Sequence, residues 1–413
     1  MLYHTSMRRD SGMLFVSGLR DTCVPGAFGA LYAGGSDAGP AFYEFFAGGG
    51  LARLGLSTTF ACVFANDWDA AKSSAYRTAW GDDHYRESDI WELSGADLPG
   101  QAALAWASFP CQDLSLAGGR KGLTGARSSA FWGFHTLMAQ LAEENRAPRI
   151  LALENVCGLL TSHQGRDFAV LVEALAALGY RVGALEIDAA HFVPQSRPRL
   201  FIVAARDFDS ALAAPGPAAP FHSRAIKAAV ATLPEELRSS WVWWRLPSPP
   251  IRNVSLADML EPDASVHWHT PSETEALIAL MAPLHQAKVA AMQKEGVRRV
   301  GAVFRRVRML DGEKRQRAEV RFDGLAGCLR TPAGGSSRQI LLIVEGESVR
   351  SRLLTPREAA RLMGAPDDFP IPARISAGLH LFGDGVCAPA VRWLGENLLR
   401  PLAAETAPLK AAS

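Results

Sequence analysis

The chain has 413 residues, 48% hydrophobic and 21% charged, ordinary globular material for one large or two modest domains with their own cores. Its formal net charge of +1 gives no protein-wide attraction to polyanions, so any basic surface must be local. Cys23, Cys62, Cys111, Cys157, Cys328 and Cys387 form no C-x-x-C pair, which argues against a zinc site or a disulfide framework and suits a reducing cytoplasm.

Residues 1–40 carry glycines and little periodicity and read as a loose extension; the apolar stretch at 13–16 is too short for a signal-peptide core. No apolar run approaches the roughly 18–20 residues of a membrane span, so no membrane partner is expected. From residue 41 strand and helix signals alternate. Residues 42–46 predict a short strand, then comes a turn at Gly48, Gly49 and Gly50 and a helix start at Leu51. Residues 58–65 are β-rich, 68–80 helical, 102–109 a strand, 128–145 an amphipathic helix, 150–153 a strand and 167–178 a helix. Residues 180–187 and 200–204 read as a closing strand pair. Strands spaced by helices predict an α/β fold, a Rossmann-like doubly wound sheet over residues 41–208.

That rhythm stops near Asp209. A Pro/Ala stretch at 214–220 marks a boundary, and an irregular segment with Trp241, Trp243 and Trp244 follows. Between 298 and 330 basic residues gather, among them Arg305, Arg306, Arg308, Lys314, Arg315, Arg317 and Arg321, with about half as many acids. This is the local positive field that the total charge conceals. His267 and His269 lack further ligating neighbours and read as surface; no metal is expected. Residues 376–402 read as a loop and a final amphipathic helix.

The predicted strand ends carry the chemistry. Phe46, Ala47, Gly48, Gly49 and Gly50 make a strand-to-helix turn whose free N–H groups suit a polar ligand, but Arg53 stands where a dinucleotide fingerprint has its third glycine. The next strand ends in Asn66, Asp67 and Trp68, an acid for two ribose hydroxyls and a flat face for a purine. Ser88, Asp89 and Ile90 offer an acceptor for an exocyclic amine. Together these ends predict a pocket for an adenosine-containing ligand without a diphosphate, and S-adenosylmethionine (AdoMet) fits. At the fourth strand end, Phe109-Pro110-Cys111-Gln112, a thiol stands at the edge of a polar, Gly-rich loop, where a nucleophile belongs. Glu154 closes the fifth strand, and Arg197 and Arg199 enter the closing pair.

In this order the motifs resemble the DNA cytosine-5 methyltransferase family, bacterial type. The resemblance rests on Phe46-x-Gly48-x-Gly50, Pro110-Cys111-Gln112, Glu154-Asn155-Val156 and Gln195-x-Arg197-x-Arg199 within 41–208. Within 350–400 it rests on the run from Arg352 through Thr355, Arg357, Glu358 and Arg361 to Gly364, and on Phe382-Gly383-Asp384-Gly385-Val386. It implies a catalytic set of Cys111, Glu154, Arg197 and Arg199. Cys111 attacks carbon 6 of cytosine so that carbon 5 can take the methyl group; Glu154 holds nitrogen 3 and the 4-amino group; Arg199 binds the ring carbonyl. Arg197 serves either a backbone phosphate or the structure. A carboxyl in apolar surroundings keeps its proton more readily, which suits Glu154. The implied cofactor residues are Phe46, Ala47, Gly48, Gly50, Asp67, Trp68, Asp89, Ile90, Pro110, Asp384 and Val386.

The base must leave its helix to be reached. The loop carrying Gln112, Ser115, Arg120, Lys121 and Arg127 is expected to close over it. Residues 209–350 become a smaller, irregular target-recognition domain whose loop holds Arg330, Ser336, Ser337 and Arg338, the arginines suited to guanine edges. Residues 351–413 return to the catalytic domain. Two departures stand out: Asp384 replaces the usual Asn, and the acid often found before Arg127 is missing. The resemblance implies a cytoplasmic, monomeric enzyme acting on specific sites in double-stranded DNA. It would serve restriction–modification or a related self-marking system, with a cognate restriction endonuclease or other defence protein as a further partner. A tRNA cytosine-5 methyltransferase of the same architecture and a catalytically silent DNA-binding regulator remain the alternatives. Intact Cys111, Glu154 and Arg199 speak against the regulator.

Overall fold

A computed structural model describes residues 39–110, 130–310, 313–331 and 338–404. Its centre is a seven-stranded sheet with the order β3-β2-β1-β4-β5-β7-β6. In chain order these are β1 (Ala41–Phe45), β2 (Ala61–Asp67), β3 (Tyr85–Glu87), β4 (Leu104–Ala107), β5 (Ile150–Asn155), β6 (Arg181–Asp188) and β7 (Pro198–Ala205). Strands β1 to β5 run parallel, while β7 lies antiparallel between β5 and β6. Central strands of such a sheet are covered on both faces, so they read as unbroken apolar runs; every residue of β4 and β5 is buried.

The helices α1 (Leu51–Leu56), α2 (Ala70–Trp80), α3 (Ala130–Glu143) and α4 (Arg166–Ala177) connect these strands. One face packs Leu54, Trp106 and Leu394 into its core; the other packs Phe131, Phe134, Leu137 and Leu171. Helix α2 starts where the Asp69 side chain accepts the N–H groups of Ala71 and Lys72, a side-chain cap for the exposed first turn. The chain order reverses between β1 and β4, the switch point where doubly wound sheets bind their ligands.

The expected boundary at residue 209 does not match the packing. Strand β8 (Ala213–Ala214) pairs with β9 (Trp243–Trp244), and Trp244 Nε1 donates to Val203 O at 3.0 Å. Helix α5 (Arg224–Ala231) places Ile226 and Val230 in the same core as Phe168, and α6 (Glu235–Ser240) follows it. Residues 213–244 therefore extend the first unit. The smaller unit has its own core of Leu277, Val289, Val303, Ala318 and Leu342. There α7 (Pro271–Ala279) and α8 (Pro283–Glu295) accompany an antiparallel sheet ordered β11-β10-β12-β13. Its strands are β10 (Arg299–Leu310), β11 (Glu313–Arg321), β12 (Ile340–Glu345) and β13 (Ser348–Leu353).

Helices α9 (Pro356–Leu362), α10 (Ile375–Asp384) and α11 (Ala388–Leu394) bring the chain back to the first core. At the junction Arg352 and Glu358, both fully buried, form a two-bond pair at 2.6 and 2.8 Å. Glu358 also accepts from the backbone of Glu261 and Thr355, so each carboxylate oxygen is satisfied. His269 is part of the structure rather than plain surface, with Nδ1 2.9 Å from Ser351 Oγ. No helix among the described residues is long and apolar enough to cross a membrane.

Candidate active site

At the C-terminal ends of β1, β2 and β4 a cavity is lined by Phe46, Ala47, Gly48, Asp67, Trp68, Pro110, Asp384 and Val386, all expected cofactor residues. Gly50, also expected there, shapes the turn: its φ is +76°, and a Cβ would fall 2.2 Å from Trp80 Nε1, so only glycine fits. Phe46 holds a left-handed φ of 57°, unusual for a residue with a side chain, at the mouth of this turn. Asp67 Oδ2 accepts from Gly48 N at 2.9 Å and Oδ1 from Asp69 N at 3.0 Å. The acid thus pins the glycine turn while each oxygen retains a second lone pair for a hydroxyl. Burial raises its carboxyl above the ordinary value despite those two donors. Trp68 presents a ring that is 70% exposed. Asp89 and Ile90 do not line the cavity. Asp89 instead accepts from Trp91 N at 3.0 Å, and Ile90 is packed toward Gly133.

Two residues that the motifs did not flag stand in the same cavity. Lys72 Nζ pairs with Asp384 Oδ2 at 2.8 Å, bridging α2 and the end of α10. Burial works against that ammonium, but the hydrogen bond and charge of Asp384 outweigh it and hold the pKa above its usual value. The Asp that replaces the family's Asn therefore has a counter-ion. Glu44, fully buried on β1, accepts from Arg53 N at 3.1 Å through Oε1, while Oε2 has no hydrogen-bond partner among the described residues. Burial pushes its carboxyl up to about 8 against the pull of Arg53.

Beyond the cavity, β5 and β7 bring two catalytic candidates together. Arg199 Nε lies 3.1 Å from Glu154 Oε1, both side chains nearly buried. The apolar setting expected for Glu154 is corrected by this guanidinium. Arg197 separates from the set. It is 2% exposed and donates to Leu329 O at 2.8 Å, Gly383 O at 3.0 Å and Gly385 O at 2.7 Å. Of its two expected duties the structure shows the structural one, a tie between the segment at Leu329 and the end of α10. Gln195 acts beside it, donating to Leu362 O and accepting from Leu329 N. Gly383 is required here because a Cβ would fall 2.7 Å from the backbone at Arg330 and Thr331. Arg330 and Arg338 both line a second cavity of about 310 Å³, which also contains Ser196 and Cys328. Cys328 Sγ is 3.8 Å from Arg199 Nη1, so this cleft reaches the Glu154–Arg199 pair.

Cys111, Gln112, Ser115, Arg120, Lys121, Arg127, Ser336 and Ser337 lie outside the described residues. The chain leading into Cys111 is fixed: Asn155 Nδ2 donates to Phe109 O at 3.1 Å, and Pro110 lines the cavity at the ends of β1, β2 and β4.

The profile of C-5 cytosine-specific DNA methylases matches residues 41–400. The chain belongs to this family. Among curated relatives, the Type II methyltransferase M.NlaX of Neisseria lactamica is 27% identical over 87% of this chain and 96% of its own. M.HhaI of Haemophilus parahaemolyticus is 24% identical over 86% and 93%. The solved structure of S. pombe Dnmt2 methyltransferase covers 86% of this chain and 96% of its own with a TM-score of 0.54 at 17% identity, a likeness of fold. As a C-5 cytosine methylase of this fold, the protein is a methyltransferase, and its family implies use of AdoMet.

Proposed function

We propose that the protein is a sequence-specific, AdoMet-dependent DNA cytosine-5 methyltransferase of the restriction–modification kind. Its proposed route is a transient bond from Cys111 to an extruded cytosine. The observation that carries this reading is the Glu154–Arg199 pair, 3.1 Å apart at the sheet edge, reached from a cleft lined by arginines. The family's description as C-5 cytosine-specific DNA methylases supports DNA as the substrate, and the Type II methyltransferase names of its relatives support the restriction–modification setting.

The cofactor cavity fits AdoMet in its donor set. Asp67 offers acceptors for ribose hydroxyls, Trp68 an open ring face for adenine, and Asp384 a negative charge for a cationic ligand, with the largely protonated Glu44 carboxyl as a further polar group on the cavity wall. Bound there, AdoMet supplies an electrophilic sulfonium methyl for carbon 5. The Cys111 thiolate adds to carbon 6, which moves the ring's electron density toward carbon 5 and nitrogen 3. Glu154 holds the proton at nitrogen 3 and accepts from the 4-amino group; Arg199 donates to the ring carbonyl and fixes the carboxylate. Loss of the carbon 5 proton and rupture of the carbon–sulfur bond restore the aromatic ring and free the thiol. Arg197 and Gln195 act by holding the recognition segment against the catalytic sheet.

Bisulfite sequencing of DNA from a methylation-free host expressing the chain tests this directly. Protected cytosines in one recurrent sequence context are expected. Unprotected DNA, with protection confined to cellular RNA, would reject the DNA reading in favour of an RNA substrate.

A further inference from the structure

We infer that the free half of the β10–β11 hairpin is a clamp for the phosphate backbone of duplex DNA, built from two rungs of directly opposed arginines, Arg306–Arg317 and Arg308–Arg315. The inference rests on the DNA reading above and deepens it by assigning a phosphate-binding element outside the recognition loop.

Strand β12 pairs with β10 only from Arg299 to Val303, whereas β11 pairs with β10 from Ala302 to Leu310. From Phe304 outward the hairpin is therefore a two-stranded ribbon standing clear of its sheet. Residues directly opposite in an antiparallel pair share a face, and alternate residues change face. Val303, Ala318 and Val320 belong to the core that α7 and α8 cover. Phe304 points the other way, its ring filling the space beside Gly327, where a Cβ would fall 1.9 Å from it. Arg306, Arg308, Arg315 and Arg317 share the face of Phe304, and Arg306 lines the 310 Å³ cleft with Arg330 and Arg338.

Like charges directly opposite on a ribbon repel and weaken it. Here two successive same-face rungs pair arginine with arginine. Glu319 answers Arg306 and Arg308, and Glu313 answers Arg315 at 3.1 Å. Arg317 has no ion-pair or hydrogen-bond partner among the described residues. Four guanidinium groups thus face two carboxylates, and the opposite face of the same stretch carries Val307, Met309, Lys314 and Gln316. Arg305 and Lys314 lie on that opposite face, so the side bordering the cleft is set apart by its two guanidinium rungs rather than by net charge. Half-exposed guanidinium forks in that position match phosphate oxygens, which accept two parallel bonds.

The test compares duplex binding by the full chain and by the quadruple variant Arg306→Gln, Arg308→Gln, Arg315→Gln and Arg317→Gln over a salt series. Each lost phosphate contact lowers the slope of log affinity against log salt by about 0.9, so a slope smaller by roughly 2 to 4 is expected. The KM for DNA is expected to rise by about tenfold or more, with kcat at saturating DNA and the methylated sequence context unchanged. A four-lysine variant keeps the charge and is expected to keep the slope. The one-rung variant Arg306→Gln/Arg317→Gln, milder toward folding, is expected to lose about half as much slope. A glutamine variant with the wild-type slope overturns the clamp, as does an altered sequence context, which would make the arginines base readers. Binding is read without turnover. A wild-type enzyme that binds duplex but does not methylate it would therefore reject the substrate reading, while the slope comparison still decides the clamp.

Discussion

Arg199 and Glu154 are diagonal neighbours across the antiparallel β5–β7 pair: Phe201 lies opposite Glu154, and Arg199 is two residues before it on the same face. Reversing β7 within an otherwise parallel region brings a residue from a strand's start beside a residue from the end of β5. A parallel β7 would put Arg199 at the other edge of the sheet. Glu154→Gln keeps the shape but removes the proton carrier, and kcat is expected to fall by roughly 10²–10⁴ with DNA binding retained. Arg199→Ala leaves a nearly buried carboxylate without its cation and is expected to cost about 3–5 kcal/mol of stability as well as activity. Steady-state kinetics with urea unfolding separates the two effects.

Lys72 and Asp384 form the second pair that bears on the site. As an ion pair with partial exposure it contributes little to stability, about 1 kcal/mol or less. Its electrostatic role is larger, because an unanswered Lys72 would face a cationic sulfonium. Asp384→Asn is expected to weaken AdoMet binding several-fold, and Lys72→Met in that background is expected to restore it. Calorimetric titration of all four proteins in the cycle measures the coupling. Additive effects would show that the two residues act on the ligand independently.

The glycine turn, the Asp67-Trp68 end and the Glu154 and Arg199 positions were legible because each is a motif at a strand end, and strand ends follow from apolar runs. Lys72 was not, since a lysine on a helix face carries no signal of what α10 brings to it from more than 300 residues away. Glu44 was hidden inside an apolar strand reading. The boundary at 209 failed because β8 and β9 are two residues each, too short for a period, while their tryptophans pack on β6 and β7. Arg197 and Arg199 are two residues apart and equally basic. Only the carbonyl oxygens of Leu329, Gly383 and Gly385, folded in from distant segments, assign the first to structure.

Glu44 gives the fold a pH dependence of known sign. Its folded pKa of about 8 lies above the ordinary 4.5, so the folded protein holds a proton that the unfolded chain has lost. Its contribution to stability is present below pH 4.5 and falls as pH rises to about 8, then levels off. Thermal melts of the wild type and Glu44→Gln across that range are expected to converge at low pH and diverge toward pH 8, with the variant the more stable by a difference on the order of a few kcal/mol. Parallel curves would show that Glu44 is ionised in the folded protein throughout.

The nucleophile is tested most directly with duplex DNA carrying 5-fluorocytosine at the methylated position, since fluorine cannot leave as the carbon 5 proton does. With AdoMet present, a denaturant-stable protein–DNA adduct is expected from the wild type and from Cys328→Ser, and none from Cys111→Ser. Peptide mapping should place the bond on Cys111. An adduct on Cys328, the thiol that touches Arg199, or no adduct from an enzyme that methylates ordinary DNA, would contradict it.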